Sequence, residues 1–194
     1  MNGTAATIVG SEASRLIIIR GNSGSGKSSL AKAIRTDRPR GVAIIGQDVL
    51  RREILHVRDH PGALSVPYID MSARFALEHG LHVIVEGILH SEICGAMLAR
   101  LRSDHRGVTR SYCYELELEE TLRRHRTKTL ADEVTEETVA SWYRSIDRVP
   151  DLDESVLGAD VSADDALERV LGDVGWKNPG RHPGGSGAEA RRSQ

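Results

Sequence analysis

Arg15-Leu16-Ile17-Ile18-Ile19-Arg20-Gly21-Asn22-Ser23-Gly24-Ser25-Gly26-Lys27-Ser28-Ser29 decides the reading of this chain. Gly21 to Ser28 is a complete G-x-x-x-x-G-K-[ST] phosphate-binding loop. Its glycines let the backbone curl so that successive N–H groups converge on an anion. Lys27 is placed to reach outer phosphates, and the Ser28 hydroxyl to hold Mg²⁺. The β-branched run before the loop reads as a buried parallel strand. The segment from Ser28 to Arg35 reads as a helix, which aims its N-terminus at the anion. A flexible Gly/Ser linker would not have Ile17-Ile18-Ile19 in front and Lys27-Ser28 in register behind.

The 194 residues are 39% hydrophobic and 28% charged, which suits one ordinary globular domain. Net charge is −2, so no global basic excess draws the chain to nucleic acid or a membrane. Cys94 and Cys113 lack metal-ligand spacing and point to a reducing, cytoplasmic setting. No apolar run approaches the ~18 residues of a membrane span. Residues 1–13 read as a loose lead-in in which Ile8 and Val9 are the residues able to pack, 14–176 as the folded domain, and the Pro/Gly-rich segment 177–194 as a disordered tail.

Strands are expected at about 15–20, 42–45, 82–87, 109–116 and 155–157, alternating with helices. This predicts α/β architecture: a five-stranded parallel sheet covered on both faces, which with the phosphate-binding loop after its first strand is a P-loop NTPase arrangement. Leu50, Ile54 and Val57 share one helical face. Pro67 opens a helix in which Tyr68, Met71, Ser72, Phe75 and His79 share another. Ser91-Glu92 is expected to cap a third helix. A further helix is expected over 135–147, returning from a polar tip at Thr129–Glu133.

Three further groups bear on chemistry. Asp48 and Arg51 follow the second strand, on the rim where open parallel sheets bind ligands. A carboxylate there can take a proton from an acceptor hydroxyl, and the arginine can steady transferring charge. Asp48 is equally suited to cap the helix from Val49, and the two roles are compatible. Glu86 ends the third strand and is a candidate for a Mg²⁺-bound water or a substrate hydroxyl, or a plain strand-end charge. Arg123-Arg124-His125-Arg126-Thr127-Lys128 packs four fixed positive charges into a segment that suits a helical lid. Charge runs are usually solvated faces. A basic flap over the phosphates would instead use Arg123 and Arg126. Arg144, after Trp142-Tyr143, is a further candidate for the substrate, and His90 lies just beyond the third strand.

With Gly21–Ser29 and Gln47-Asp48-Val49-Leu50-Arg51 in hand, the chain resembles P-loop kinases of the zeta-toxin, chloramphenicol phosphotransferase and polynucleotide 5′-kinase group over about residues 15–172. Asp48 lies 21 residues after Lys27, close to the spacing of the D-x-x-R segment in the polynucleotide kinases. The resemblance implies Asp48 as base, and Arg51 as a contact of the substrate phosphate or the transferring group. It implies ATP and Mg²⁺ as cofactors, held by Gly21, Asn22, Ser23, Gly24, Ser25, Gly26, Lys27, Ser28 and Ser29, and lid contacts from Arg123 and Arg126. Lys27, Asp48, Arg51 and Arg126 would carry catalysis, with Glu86 and Arg144 on the substrate side. The segment from His56 to Asp70 is only mildly basic, so a small-molecule hydroxyl is the expected acceptor and a polynucleotide the alternative. A nucleotide-binding regulatory ATPase is the third reading.

Overall fold

A computed structural model describes residues 8–38, 40–126, 135–144 and 147–176. The expected tip at Thr129–Glu133 and tail at 177–194 lie outside the described residues. Five strands form one parallel sheet: β1 (Arg15–Gly21), β2 (Val42–Gly46), β3 (His82–Gly87), β4 (Val108–Tyr114) and β5 (Ser155–Leu157). Their spatial order is β2-β3-β1-β4-β5, with β1 central. The helices are α1 (Lys27–Asp37), α2 (Ser65–Glu78), α3 (Ser91–Asp104), α4 (Leu118–Arg126), α5 (Glu136–Trp142) and α6 (Ala163–Asp173).

The apolar run in β1 is continuous because both sheet faces are covered. Leu16 and Ile18 pack with α2 and α3 through Ile69, Ala73, Leu98 and Leu101. Ile17 and Ile19 pack with α1 and α6 through Leu30, Ile34, Ala166 and Val170. The β1 register pairs Ile18 with Val85 of β3 and Ser111 of β4. The strand order reverses around β1, so the crevice at its carboxyl end is the topological switch point. None of the helices is long and apolar enough to cross a membrane among the described residues.

In the lead-in Val9 is buried, donates its N–H to Asp104 O at 2.9 Å and pairs with His105, while Ile8 is exposed. Several local expectations need correction. After β2 the chain forms a π-helical segment, Val49–Ile54, closed by Leu55 N donating to Leu50 O at 3.0 Å. Its wider turn spoils the 3.6-residue spacing, so Leu50 is buried while Ile54 is exposed. α2 starts at Ser65 and buries Ile69, Ala73, Ala76 and Leu77, leaving Met71 and Phe75 in solvent. α5 ends at Trp142, short of the expected 147. Ser91 does not cap α3 with its own hydroxyl; its N–H and Oγ both reach the Asp147 carboxylate, which caps the helix from a distant segment.

Candidate active site

The loop after β1 is shaped by its backbone. Gly21 has φ +139°, Gly24 +84° and Gly26 +112°. At Gly21 a Cβ would stand 2.8 Å from both Cβ and O of Tyr114, so conformation and space each exclude a side chain. α1 begins directly at Lys27, with no side-chain cap and no acidic residue in its first turn. Its leading N–H groups and positive dipole end are therefore left for an external anion. Lys27 Nζ curls back to Asn22 O at 2.7 Å and Ser25 Oγ at 3.3 Å. Ser28 Oγ donates to Glu86 Oε2 at 3.0 Å. These features fit a polyphosphate in the cradle, and the paired hard oxygens of Ser28 and Glu86 fit Mg²⁺ beside it.

Glu86 is buried at the end of β3. Burial raises its pKa; the charge of Lys27 and the Ser28 hydrogen bond oppose that, and Asp48 adds to it. Asp48 does not act as a cap. Its backbone is already helical (φ −65°, ψ −38°), whereas a capping side chain needs an extended backbone. Instead Asp48 Oδ1 accepts from Arg51 Nη2 at 3.0 Å and lies 3.5 Å from Arg52 Nε. The carboxylate is 65% exposed, and Oδ2 has no protein partner among the described residues. Arg51 also lies 3.7 Å from Asp59 Oδ2. Asp59 in turn accepts from Gln47 Nε2 at 2.8 Å, and Gln47 Oε1 accepts from Leu89 N at 2.9 Å. Gly87 leaves room for Gln47, whose Oε1 would stand 2.6 Å from a Cβ there.

One cleft of about 640 Å³ collects these groups. Ser23, Gly24, Gly26, Lys27 and Ser28 line it from the loop, and Asp48, Arg51, Arg58 and Asp59 from the segment after β2. Arg52, Glu86, His90, Trp142 and Arg144 are among its other lining residues. Arg52 lies over the Trp142 ring, 5.6 Å from its centroid, which joins the π-helical segment to the end of α5.

Arg123 and Arg126 stand elsewhere. Both are exposed, paired with Glu120 and Glu136 respectively, and neither lines the cleft. α4 turns Thr121 inward, so the residue three positions on, Arg124, faces the loop. Arg124 Nη1 donates to Ser25 O at 3.1 Å, and Nη2 to Ala159 O at 3.5 Å.

Two arrangements have no forecast in the sequence reading. The Asn22 side chain clasps the Arg144 backbone, Nδ2 to O at 2.7 Å and N to Oδ1 at 3.0 Å, which ties the phosphate loop to the chain after α5. Arg20 is wholly buried at the end of β1. It bonds Leu89 O at 3.0 Å, Glu154 Oε1 at 2.8 Å and Asp147 Oδ2 at 2.9 Å. An arginine closing an otherwise apolar strand was a signal that buried carboxylates must approach it. Which carboxylates they are depends on the tertiary fold.

The sheet order, the loop and the flanking helices define a P-loop kinase fold. Solved structures share it. The APS kinase of Mycobacterium tuberculosis, solved with AMPPNP and APS, superposes with a TM-score of 0.61 at 21% identity, over 84% of this chain and 98% of that one. A gluconokinase from Sinorhizobium meliloti gives 0.60 at 16%, over 85% and 93%. The tunicamycin resistance protein of Deinococcus radiodurans gives 0.59 at 17%, over 84% and 97%. No family model matches the chain, and comparison with curated proteins gives no match.

Proposed function

We propose that this protein is an ATP-dependent kinase that phosphorylates a hydroxyl group of a small molecule. The observation that carries the reading is the single cleft that brings Lys27 and Ser28 together with Asp48, Arg51 and Glu86. Bound Mg·ATP would supply the transferable phosphoryl group. The loop amides from Gly21 to Ser28 and the Lys27 ammonium hold the phosphates, and Ser28 with Glu86 offers oxygens to Mg²⁺. Asp48 takes the proton of the acceptor hydroxyl on Oδ2, while Arg51 and Arg52 hold Oδ1 and so orient the carboxylate. Arg144, held beside the loop by Asn22, steadies charge on the transferring group.

Asp48→Asn tests this reading. It should bind AMP-PNP like the parent in calorimetry and lose phosphoryl transfer by about 10²–10⁴-fold. Transfer at the parental rate would remove Asp48 from the mechanism. Nucleotide hydrolysis unchanged by Asp48→Asn, with no acceptor used, would favour a regulatory ATPase instead.

A further inference from the structure

The cleft is lined by more basic than acidic side chains, and they come from both the phosphate loop side and the segment after β2. Its lining includes Lys27, Arg51, Arg52, Arg58 and Arg144 against Asp48, Asp59 and Glu86, in a chain whose net charge is −2. Lys27 and Arg144 belong to the phosphate-loop side, the second through the Asn22 clasp. Arg51 is matched by Asp48 and Asp59, and Arg52 shares Asp48. Among the described residues Arg58 has neither an ion pair nor a hydrogen-bond partner on its guanidinium. Its neighbour Asp59 does not neutralise it, because that carboxylate is turned to Gln47 and Arg51.

Arg58 is also held in place from both sides. Val57 N donates to Arg51 O at 3.0 Å, and Val57 O accepts from Arg51 Nη1 at 3.4 Å. His56 turns the chain with φ +52°, and Asp59 is pinned to Gln47 at the end of β2. β2 and β1 are separated by β3, so the ends of these two strands lie about 10 Å apart across the rim. Arg58 thus enters the cleft from the segment after β2, the side that also carries Asp48, and not from the phosphate loop after β1.

We propose that the acceptor is a small molecule bearing an oxyanion, a phosphate or sulfate ester or a carboxylate, and that Arg58 is the residue that reads it. A guanidinium presents paired N–H donors that match such groups, and one placed without a carboxylate partner gains most when an anion arrives. The cleft of about 640 Å³ has the size of a small-molecule site and not of a strand-tracking groove. The inference rests on the kinase reading for the identity of the site as an acceptor pocket.

Two measurements test it. In the first, matched acceptors with and without the charged group (sugars and nucleosides against their phosphate esters, sulfate esters and acids) are offered with Mg·ATP. The parent should prefer one charged class by about ten- to a hundredfold in kcat/KM. Arg58→Ala should erase that preference through KM while KM for ATP stays unchanged, and Arg58→Lys should restore part of it. Neutral acceptors used as well as charged ones, or a preference that survives Arg58→Ala, would overturn the proposal. Transfer confined to oligonucleotides would overturn the small-molecule class. In the second, inorganic sulfate is titrated calorimetrically into protein saturated with Mg·AMP-PNP, so that the phosphate loop is already filled. Saturable sulfate binding that is lost in Arg58→Ala supports the anion site even where no acceptor is phosphorylated, an outcome that would count against the kinase reading alone. Absence of sulfate binding by the loaded parent protein counts against Arg58.

Discussion

The hydroxyl of Ser28 donates to Glu86 Oε2 at 3.0 Å, joining the first turn of α1 to the end of β3. Two elements far apart in sequence thereby present adjacent oxygens at the mouth of the cleft. Glu86 is held there at an energetic disadvantage, since burial raises its pKa beyond what Lys27 and Ser28 restore. A carboxyl with a raised folded-state pKa favours the folded state at low pH. That contribution fades as pH climbs from the unfolded value, about 4.5, through the higher folded one. Glu86→Gln removes the titration while the amide oxygen can still accept from Ser28. Its melting temperature without ligand should therefore rise relative to the parent as pH increases from 4.5 to 8, with little difference below. The same variant should bind Mg·AMP-PNP more weakly. A stability difference that does not vary with pH would show that Glu86 carries no such penalty.

Gly21→Ala should destabilise the protein by about 1–3 kcal/mol from backbone conformation alone. The new methyl would also press on Tyr114, whose Cβ and O lie 2.8 Å from its ideal position. Urea denaturation measures the loss. A variant as stable as the parent would mean that β1 and β4 can separate at this point, against their register of Gly21 with Tyr114.

Arg20→Met tests the buried clamp behind the cleft. Methionine fills much of the volume but leaves Asp147 and Glu154 without their cation. Stranding buried charge in this way typically costs about 3–5 kcal/mol. Burial opposes ionisation of Asp147; the nearby His90 ring (3.7 Å), the hydrogen bonds from Ser91 and the charge of Arg20 overcome it, so the net pKa is well below the ordinary carboxylate range. A depressed carboxylate stabilises the fold above its unfolded pKa, about 3.8, and loses that contribution as pH falls toward the folded value. The deficit of Arg20→Met in urea denaturation should accordingly be largest near neutral pH and shrink below about pH 4. Combining it with Glu154→Gln should recover part of the loss. A deficit independent of pH would assign the effect to packing.

The sheet was legible because its signals are local. Ile17-Ile18-Ile19 is apolar without alternation only because helices cover both faces, and the loop glycines are required by positive φ. Asp48 was legible as a rim residue from its place after β2, but its freedom from capping was not, because that depends on the π-helical turn that follows. The outward face of α2 misled for a related reason. Met71 and Phe75 have helical spacing, yet Ile69, Ala73 and Ala76 are the residues small or branched enough to pack close against α3 and the sheet. The hydrogen-bond partners of Arg20, Asn22 and Asp59 were beyond reach. They lie 12 to 134 residues away, and hydrogen-bond partners at such distances have no periodicity to betray them.

Arg124, and not Arg123 or Arg126, should matter for nucleotide binding. Its guanidinium bridges α4 to the Ser25 carbonyl inside the phosphate loop and to Ala159 after β5, so it holds the loop from behind. Arg123 and Arg126 form exposed pairs with Glu120 and Glu136, contacts that solvent screens heavily. Arg124→Ala should weaken AMP-PNP binding about tenfold or more, as loss of a charge-assisted hydrogen bond does. Arg123→Ala and Arg126→Ala should stay within about twofold of the parent. Calorimetric titration of the three variants decides the matter. If Arg126→Ala proved the damaging change, α4 and α5 would have to rearrange on nucleotide binding, breaking the Arg126–Glu136 pair and turning that arginine toward the phosphates. A fourth variant, Glu136→Gln, would then bind nucleotide more tightly than the parent, because the pair that restrains Arg126 would already be open.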